Sequence, residues 1–270
     1  MARFLYTRKP RPLGRGGGHY TSMQIEIKTK TFKEKFIYVD FSENKKATKL
    51  AVFMSGFSGS LDMSLFKSAS EYFFQKGFST ARVGFCNDSS EEKRKNALET
   101  KDLSLSTYTT ELKNIIEHLG KKYSEIVLVG HSFGAIISIL FLERYRGYLK
   151  HTKLILWDPS LLPWKKEWME GDFTFDKERR IYSEKNSKTE INEYFYMELM
   201  QTNSSAILAS LNTNACIIAA ENSADKDAEN YYSKISDKRP SKLFIIKKTS
   251  HLFEGRKVQK ELFEETINFL

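Results

Sequence analysis

Ser132 stands in the run Gly130-His131-Ser132-Phe133-Gly134. Before it lie Ile126, Val127, Leu128 and Val129, four apolar residues of which three are β-branched. After it, Ile136, Ile137, Ile139, Leu140, Phe141 and Leu142 continue at helical length. A serine at a sharp turn between a buried strand and a helix presents its hydroxyl beyond the edge of a sheet. Glycines flank it because a Cβ at either place would meet the strand or helix folding back beside it. The chemistry that fits is nucleophilic attack by the Ser132 hydroxyl. That hydroxyl is weak at neutral pH, so it needs a base for its proton and donors for the oxyanion that forms.

The chain has five histidines. His19 falls in a basic N-terminal stretch. His131 adjoins the serine and should point away from it. His118 ends a helix that precedes the Ser132 strand, and His151 precedes another strand, so both belong at the opposite edge of a sheet. His251 alone follows a strand, at the carboxyl edge where Ser132 emerges, and is the expected base. The acid that orients it should also follow a strand. Asp225 comes shortly after the run 216–220 and is the favoured choice. Asp158, at the end of the preceding strand, is the main rival, and Asp227 a weaker one. For the oxyanion, backbone amides are needed. The amide of Phe133, next after the nucleophile, is one candidate. The amide of Phe57, in the small-residue loop Ser55-Gly56-Phe57-Ser58-Gly59-Ser60, is the other.

Strands and helices must bring these groups together. Residues 1–22 carry Arg3, Arg8, Lys9, Arg11 and Arg15 without an acidic residue, then three glycines. They read as a basic flexible arm or leader, outside a folded domain spanning 23–270. Met23, Ile25 and Ile27 alternate with polar residues, as does the run 36–41, and two antiparallel strands are expected. The run 50–54 is apolar throughout, as in a strand buried on both faces. A helix should follow, capped by Asp62 or Ser64, then a strand at 78–85 and a charged loop over 86–106. Tyr108, Leu112, Ile115, Ile116 and Leu119 share one face of a helix over 107–119. A strand at 153–157 stops at Pro159. Residues 160–205 break the alternation and hold eight aromatic residues that include Trp164, Trp168, Phe173 and Tyr196. This length predicts an inserted cap, with a helix near 189–200 capped by Thr189. Alternation resumes with strands at 215–220 and 243–246 and helices at 228–235 and 258–270. The fold class is α/β, a mostly parallel sheet with helices on both faces.

A chain of 270 residues, 40% hydrophobic, builds one large core. No apolar run reaches bilayer length, so no membrane span is expected. Cys86 and Cys216 sit in or beside apolar runs without metal-ligand spacing. Free buried thiols in a reducing, cytoplasmic setting are expected. The formal net charge of +9 is spread among acidic residues. A diffuse pattern of this kind speaks for a lysine-rich surface and against a nucleic-acid partner.

The order Ser132, Asp225, His251, each after a strand, together with the insert after the Trp157 strand, resembles the α/β-hydrolases from about Met23 to Leu270. Within them the chain is similar to small serine esterases, acylglycerol-lipase-like and aminopeptidase-like hydrolases. It departs from them where Ser55-Gly56 stands for a frequent His-Gly and where Phe85-Cys86-Asn87-Asp88-Ser89 replaces a Gly-rich turn. The resemblance implies an eight-stranded, mostly parallel sheet and no cofactor. The function expected is a serine hydrolase (a carboxylesterase) acting on a small ester with an apolar acyl or aryl group. Thioesterase, acyltransferase or peptidase activity from the same triad is the alternative, as is a non-catalytic binding module of the same fold.

Overall fold

The computed structural model describes residues 3–5, 20, 22–57, 59–86, 94–211, 213–235 and 241–270. The main sheet begins with β1 (Arg3–Leu5), β2 (Met23–Lys28), β3 (Phe36–Ser42) and β4 (Lys49–Met54). Helix α1 (Ser64–Gln75) leads to β5 (Ser79–Gly84), and α2 (Leu105–Leu119) to β6 (Glu125–His131). Helix α3 (Phe133–Arg144) then leads to β7 (Thr152–Trp157). Next come α4 (Lys166–Asp172), β8 (Phe173–Asp176), β9 (Ile181–Glu184), β10 (Glu190–Asn192), α5 (Glu193–Gln201) and α6 (Ser204–Ser210). The chain closes with β11 (Ala215–Ala220), α7 (Asp225–Ile235), β12 (Lys242–Ile246) and α8 (Arg256–Phe269).

Among the described residues the main sheet runs β1-β2-β3-β5-β4-β6-β7-β11-β12. The pairs from β5 onward are parallel, while β1, β2 and β3 extend the sheet antiparallel. From β2 on this is the expected eight-stranded sheet, with the expected antiparallel pair at its start. Of the basic stretch 1–22, Arg3–Leu5 pairs with β2 as β1, so the expectation of a flexible arm does not hold for those three residues. Tyr20 bonds Ser70 at 3.0 Å and packs edge-on against Phe74. Apart from Ser22, the rest of that stretch and Asn87, Asp88 and Ser89 lie outside the described residues.

The strands read as unbroken apolar runs because helices cover both faces. Side chains alternate between those faces. Leu50, Val52, Met54, Leu128, Leu154 and Leu156 join the core beneath α2 and α3. Ala51, Phe53, Val127, Val129, Ile155 and Trp157 face Leu65, Phe66, Phe73, Leu262 and Phe263 of α1 and α8. Cys86 and Cys216 are buried free thiols. No helix among the described residues is long and apolar enough to cross a membrane.

Between β7 and β11 the chain builds a cap with its own antiparallel sheet, ordered β10-β9-β8. Its helix starts later than expected. Residues 190–192 are held as a strand against β9, and the cap is Asn192, whose Oδ1 accepts from the Phe195 amide at 2.8 Å. Neither Asp62 nor Ser64 caps α1, which has no side-chain cap. The Asp62 carboxylate is engaged by Arg94 instead, at 2.9 Å.

Candidate active site

Strand β6 ends at His131 and α3 begins at Phe133, leaving Ser132 alone in the turn at φ 55° and ψ −119°. A positive φ at a non-glycine residue is strained and persists only where its surroundings enforce it. Here they do. A Cβ on Gly130 would lie 2.3 Å from the Gly134 carbonyl oxygen, and one on Gly134 would lie 2.3 Å from that of Met54. The Ser132 amide donates to the Trp157 carbonyl at 2.9 Å, and its own carbonyl accepts from Ala135 and Ser160. The Ser132 hydroxyl lies 3.0 Å from that of Ser160.

The loop after β4 passes directly beside the serine. A Cβ on Gly56 would lie 3.1 Å from Ser132 Cβ and 3.4 Å from its Oγ. Phe57 follows, with its ring edge-on to Phe133 at 5.5 Å. Phe133 is the first residue of α3, so its amide has no intrahelical acceptor. Both predicted oxyanion residues therefore flank Ser132.

His251 is half-buried, in the turn after β12, and its Nδ1 donates to Asp158 Oδ2. Asp158 is wholly buried. Its Oδ1 accepts from the amide of Ala220 at 2.8 Å, and its Oδ2 from the hydroxyl of Ser223 at 2.6 Å. Burial alone would raise the Asp158 pKa. The bonds from His251, Ser223 and Ala220 outweigh it and hold the carboxyl below its ordinary range.

The carboxylate bonded to His251 is thus Asp158, the rival, and not the favoured Asp225. Asp225 opens α7, and among the described residues no hydrogen bond or ion pair joins it to His251. The β7 end reaches His251 because β11, lying between β7 and β12, receives Asp158 on the amide of its last residue. Asp225 is instead one of two acidic residues in the first turn of α7, an ordinary place for an anion beside unpaired helix amides. Asp227 lines the cavity described below, with its pKa raised by burial. Of the other histidines, His118 and His151 are exposed, away from this edge.

A cavity of about 500 Å³ opens over Ser132, within the range of small-molecule sites. Phe57, Phe133, Trp164, Trp168 and Phe173 supply its aromatic wall, and Lys165, Glu184 and Asp227 are charged groups on it. Trp164 stands edge-on to Phe57 at 5.3 Å and to Trp168 at 4.7 Å. The cap's aromatic residues thus both pack the insert and wall the cavity. Among the described residues no group of His, Cys, Asp and Glu could hold a metal ion.

Several solved structures resemble the chain over most of its length. Est1E from Butyrivibrio proteoclasticus, with ferulic acid bound, matches with a TM-score of 0.67 at 15% identity, over 86% of this chain and 96% of that one. The fold is the α/β-hydrolase fold. DcsB in complex with a substrate analogue gives 0.68 at 17% identity, over 92% and 98%. An esterase from Thermogutta terrifontis gives 0.64 at 16%, over 91% and 98%. No protein-family model matches the chain, and no curated protein matches it by sequence.

Two site residues had no signal in the sequence. Ser160 and Ser223 are single serines in irregular stretches, and only the folded strand ends bring them to Ser132 and Asp158. His131 differs, because its place beside Ser132 was visible and only its partner was not.

Proposed function

We propose that the protein is a serine hydrolase that cleaves a carboxylic ester through an acyl-enzyme on Ser132. The observation that carries this is the strained Ser132 turn opening onto a cavity at the same sheet edge as the Asp158–His251 pair. Ser132 Oγ attacks the ester carbonyl while His251 Nε2 takes its proton. Asp158 accepts the Nδ1 proton bond, fixes the tautomer and stabilises the imidazolium. The amides of Phe57 and Phe133 receive the oxyanion. Collapse expels the alkoxide, which leaves as the alcohol with the proton from His251. Water then attacks the acyl-enzyme, His251 again takes the proton, and the carboxylic acid leaves as Ser132 regains its hydrogen.

The aromatic wall favours an apolar acyl or aryl group. Est1E holding ferulic acid, an aryl carboxylic acid, supports that substrate class by analogy. The test compares short-chain and aryl p-nitrophenyl esters with wild-type and Ser132→Ala protein, alongside fluorophosphonate labelling with site identification by mass spectrometry. Hydrolysis and labelling at Ser132, both absent in the variant, are expected. Equal rates for the two proteins would eliminate Ser132 as nucleophile. Thioesters and aminoacyl amides in the same panel separate ester hydrolysis from the other acyl chemistries.

A further inference from the structure

We propose that His131 is a positioning residue that ties the backbone of the base-bearing loop to the nucleophile turn. The proposal rests on the assignment of Ser132 and His251 above. His131 is buried, 1% exposed. Its Nε2 lies 2.8 Å from the backbone carbonyl oxygen of His251. A carbonyl only accepts, so Nε2 carries the proton and donates. Nδ1 is then left with its lone pair, buried without a hydrogen-bond partner among the described residues.

The arrangement leaves His131 Nε2 unable to take a proton, since it already donates to the His251 carbonyl. It also keeps His131 uncharged, because an imidazolium would bury a second N–H with nothing to accept it. The ring centroids of His131 and His251 are 4.5 Å apart. An uncharged neighbour adds no repulsion when His251 takes the serine's proton. Phe66 and Phe253 stand edge-on to the His131 ring at 6.2 and 6.3 Å and fix its plane.

The loop needs such a tie. It carries positive φ values at Lys248 and Phe253. Its internal bonds, from the Phe253 amide to the Ser250 carbonyl and from the Ser250 hydroxyl to the Glu254 carboxylate, are local. The Lys248 amide, three residues before His251, donates to the Glu221 carboxylate. The His251 side chain is held by Asp158, which leaves the backbone behind it to be fixed separately. His131 is covalently next to Ser132 and bonded to the His251 main chain. One residue therefore sets the spacing between nucleophile and base.

Two variants separate the bond from the packing. His131→Leu fills the space without a donor, and His131→Gln offers an amide N–H near the Nε2 position. For ester hydrolysis, His131→Leu should lower kcat about 10- to 100-fold with KM changed by less than about threefold, as misplacement of a reacting group does. His131→Gln should recover all but about fivefold of kcat. Amide hydrogen exchange over residues 250–253 should quicken in the Leu variant and stay near wild type in the Gln variant. That exchange measurement needs no catalysis, so it judges the tie even if Ser132 proves not to be the nucleophile. In the unaltered protein, 15N shifts of His131 between pH 6 and 8 should report the Nε2–H tautomer. Unchanged exchange and kcat in His131→Leu, equal impairment in both variants, or an Nδ1–H tautomer would each overturn the proposal.

Discussion

Asp158 and His251 are 93 residues apart in the chain and share a hydrogen bond across the carboxyl ends of β7 and β12. Strand β11 runs between those two. The pairing works because Asp158 leaves its strand at φ 41° and folds its carboxylate over the end of β11, where Ala220 and Ser223 bind it. This carboxylate is desolvated but fully bonded, which keeps it ionised and its proton-accepting oxygen fixed against the imidazole.

Replacing Asp158 by Asn should therefore reverse the preferred imidazole tautomer and lower kcat about 10⁴-fold. Asp225→Asn should change kcat by less than about threefold, the usual scale for a surface substitution. Steady-state hydrolysis of one activated ester by the two variants decides between them. A larger loss in Asp225→Asn would restore that residue as the acid.

What the sequence made legible follows from range. Ser132 was visible because its determinants are local: a β-branched strand, two glycines excluded from bearing a Cβ, and an apolar helix within about twenty residues. His251 was reachable by elimination, since the sheet edge at which each histidine falls depends only on strand direction. The carboxylate partner of His251 was different. Asp158 and Asp225 both follow strands, and choosing between them needs the crossing of β7, β11 and β12 in space. One local signal did favour Asp158, which follows its strand directly, whereas Asp225 stands five residues beyond the strand end. The cap helix misplacement has a similar cause. Thr189 and Asn192 are both good caps, and pairing of Glu190–Asn192 with β9 decided the matter.

The glycines around Ser132 should separate stability from activity. In Gly134→Ala the new Cβ would meet the Met54 and Ser55 carbonyl oxygens at 2.3 and 2.7 Å. Main chain in a central strand does not yield, so a stability loss of about 3 kcal/mol or more is expected in urea unfolding. In Gly56→Ala the nearest atoms are Cβ and Oγ of Ser132, at 3.1 and 3.4 Å. That clash is milder and falls on the nucleophile. It should lower kcat about 10- to 100-fold while moving the unfolding midpoint less than Gly134→Ala does.

Burial of His131, followed by repulsion from His251, pushes its pKa from the ordinary 6.5 down to about 4. Between those values the unfolded chain binds a proton that the folded chain does not. Stability is complete above 6.5 and falls with pH through that window. From pH 7 to pH 5 this one group should remove about 2 kcal/mol. The depressed carboxyl of Asp158 acts below its ordinary 3.8, outside the interval. Urea unfolding of wild type and His131→Gln at the two pH values isolates the effect, which should vanish in the variant.

Trp164 joins cap to body at the cavity wall. Its amide donates to the Leu199 carbonyl at 3.1 Å, and its ring packs against Phe57 and Phe133, the two residues whose amides are assigned to the oxyanion. Truncation removes apolar surface that a long or aryl acyl group would cover and an acetyl group would not reach. Trp164→Ala should therefore raise KM for an aryl ester about 10- to 100-fold, the worth of about 1–3 kcal/mol of lost apolar contact. For the acetyl ester KM should stay within about threefold, and kcat should hold for both if the amides keep their places. Paired kinetics on acetyl and aryl esters of the same alcohol provide the comparison. Equal loss on both would mean that Trp164 supports the oxyanion loop and does not contact the acyl group.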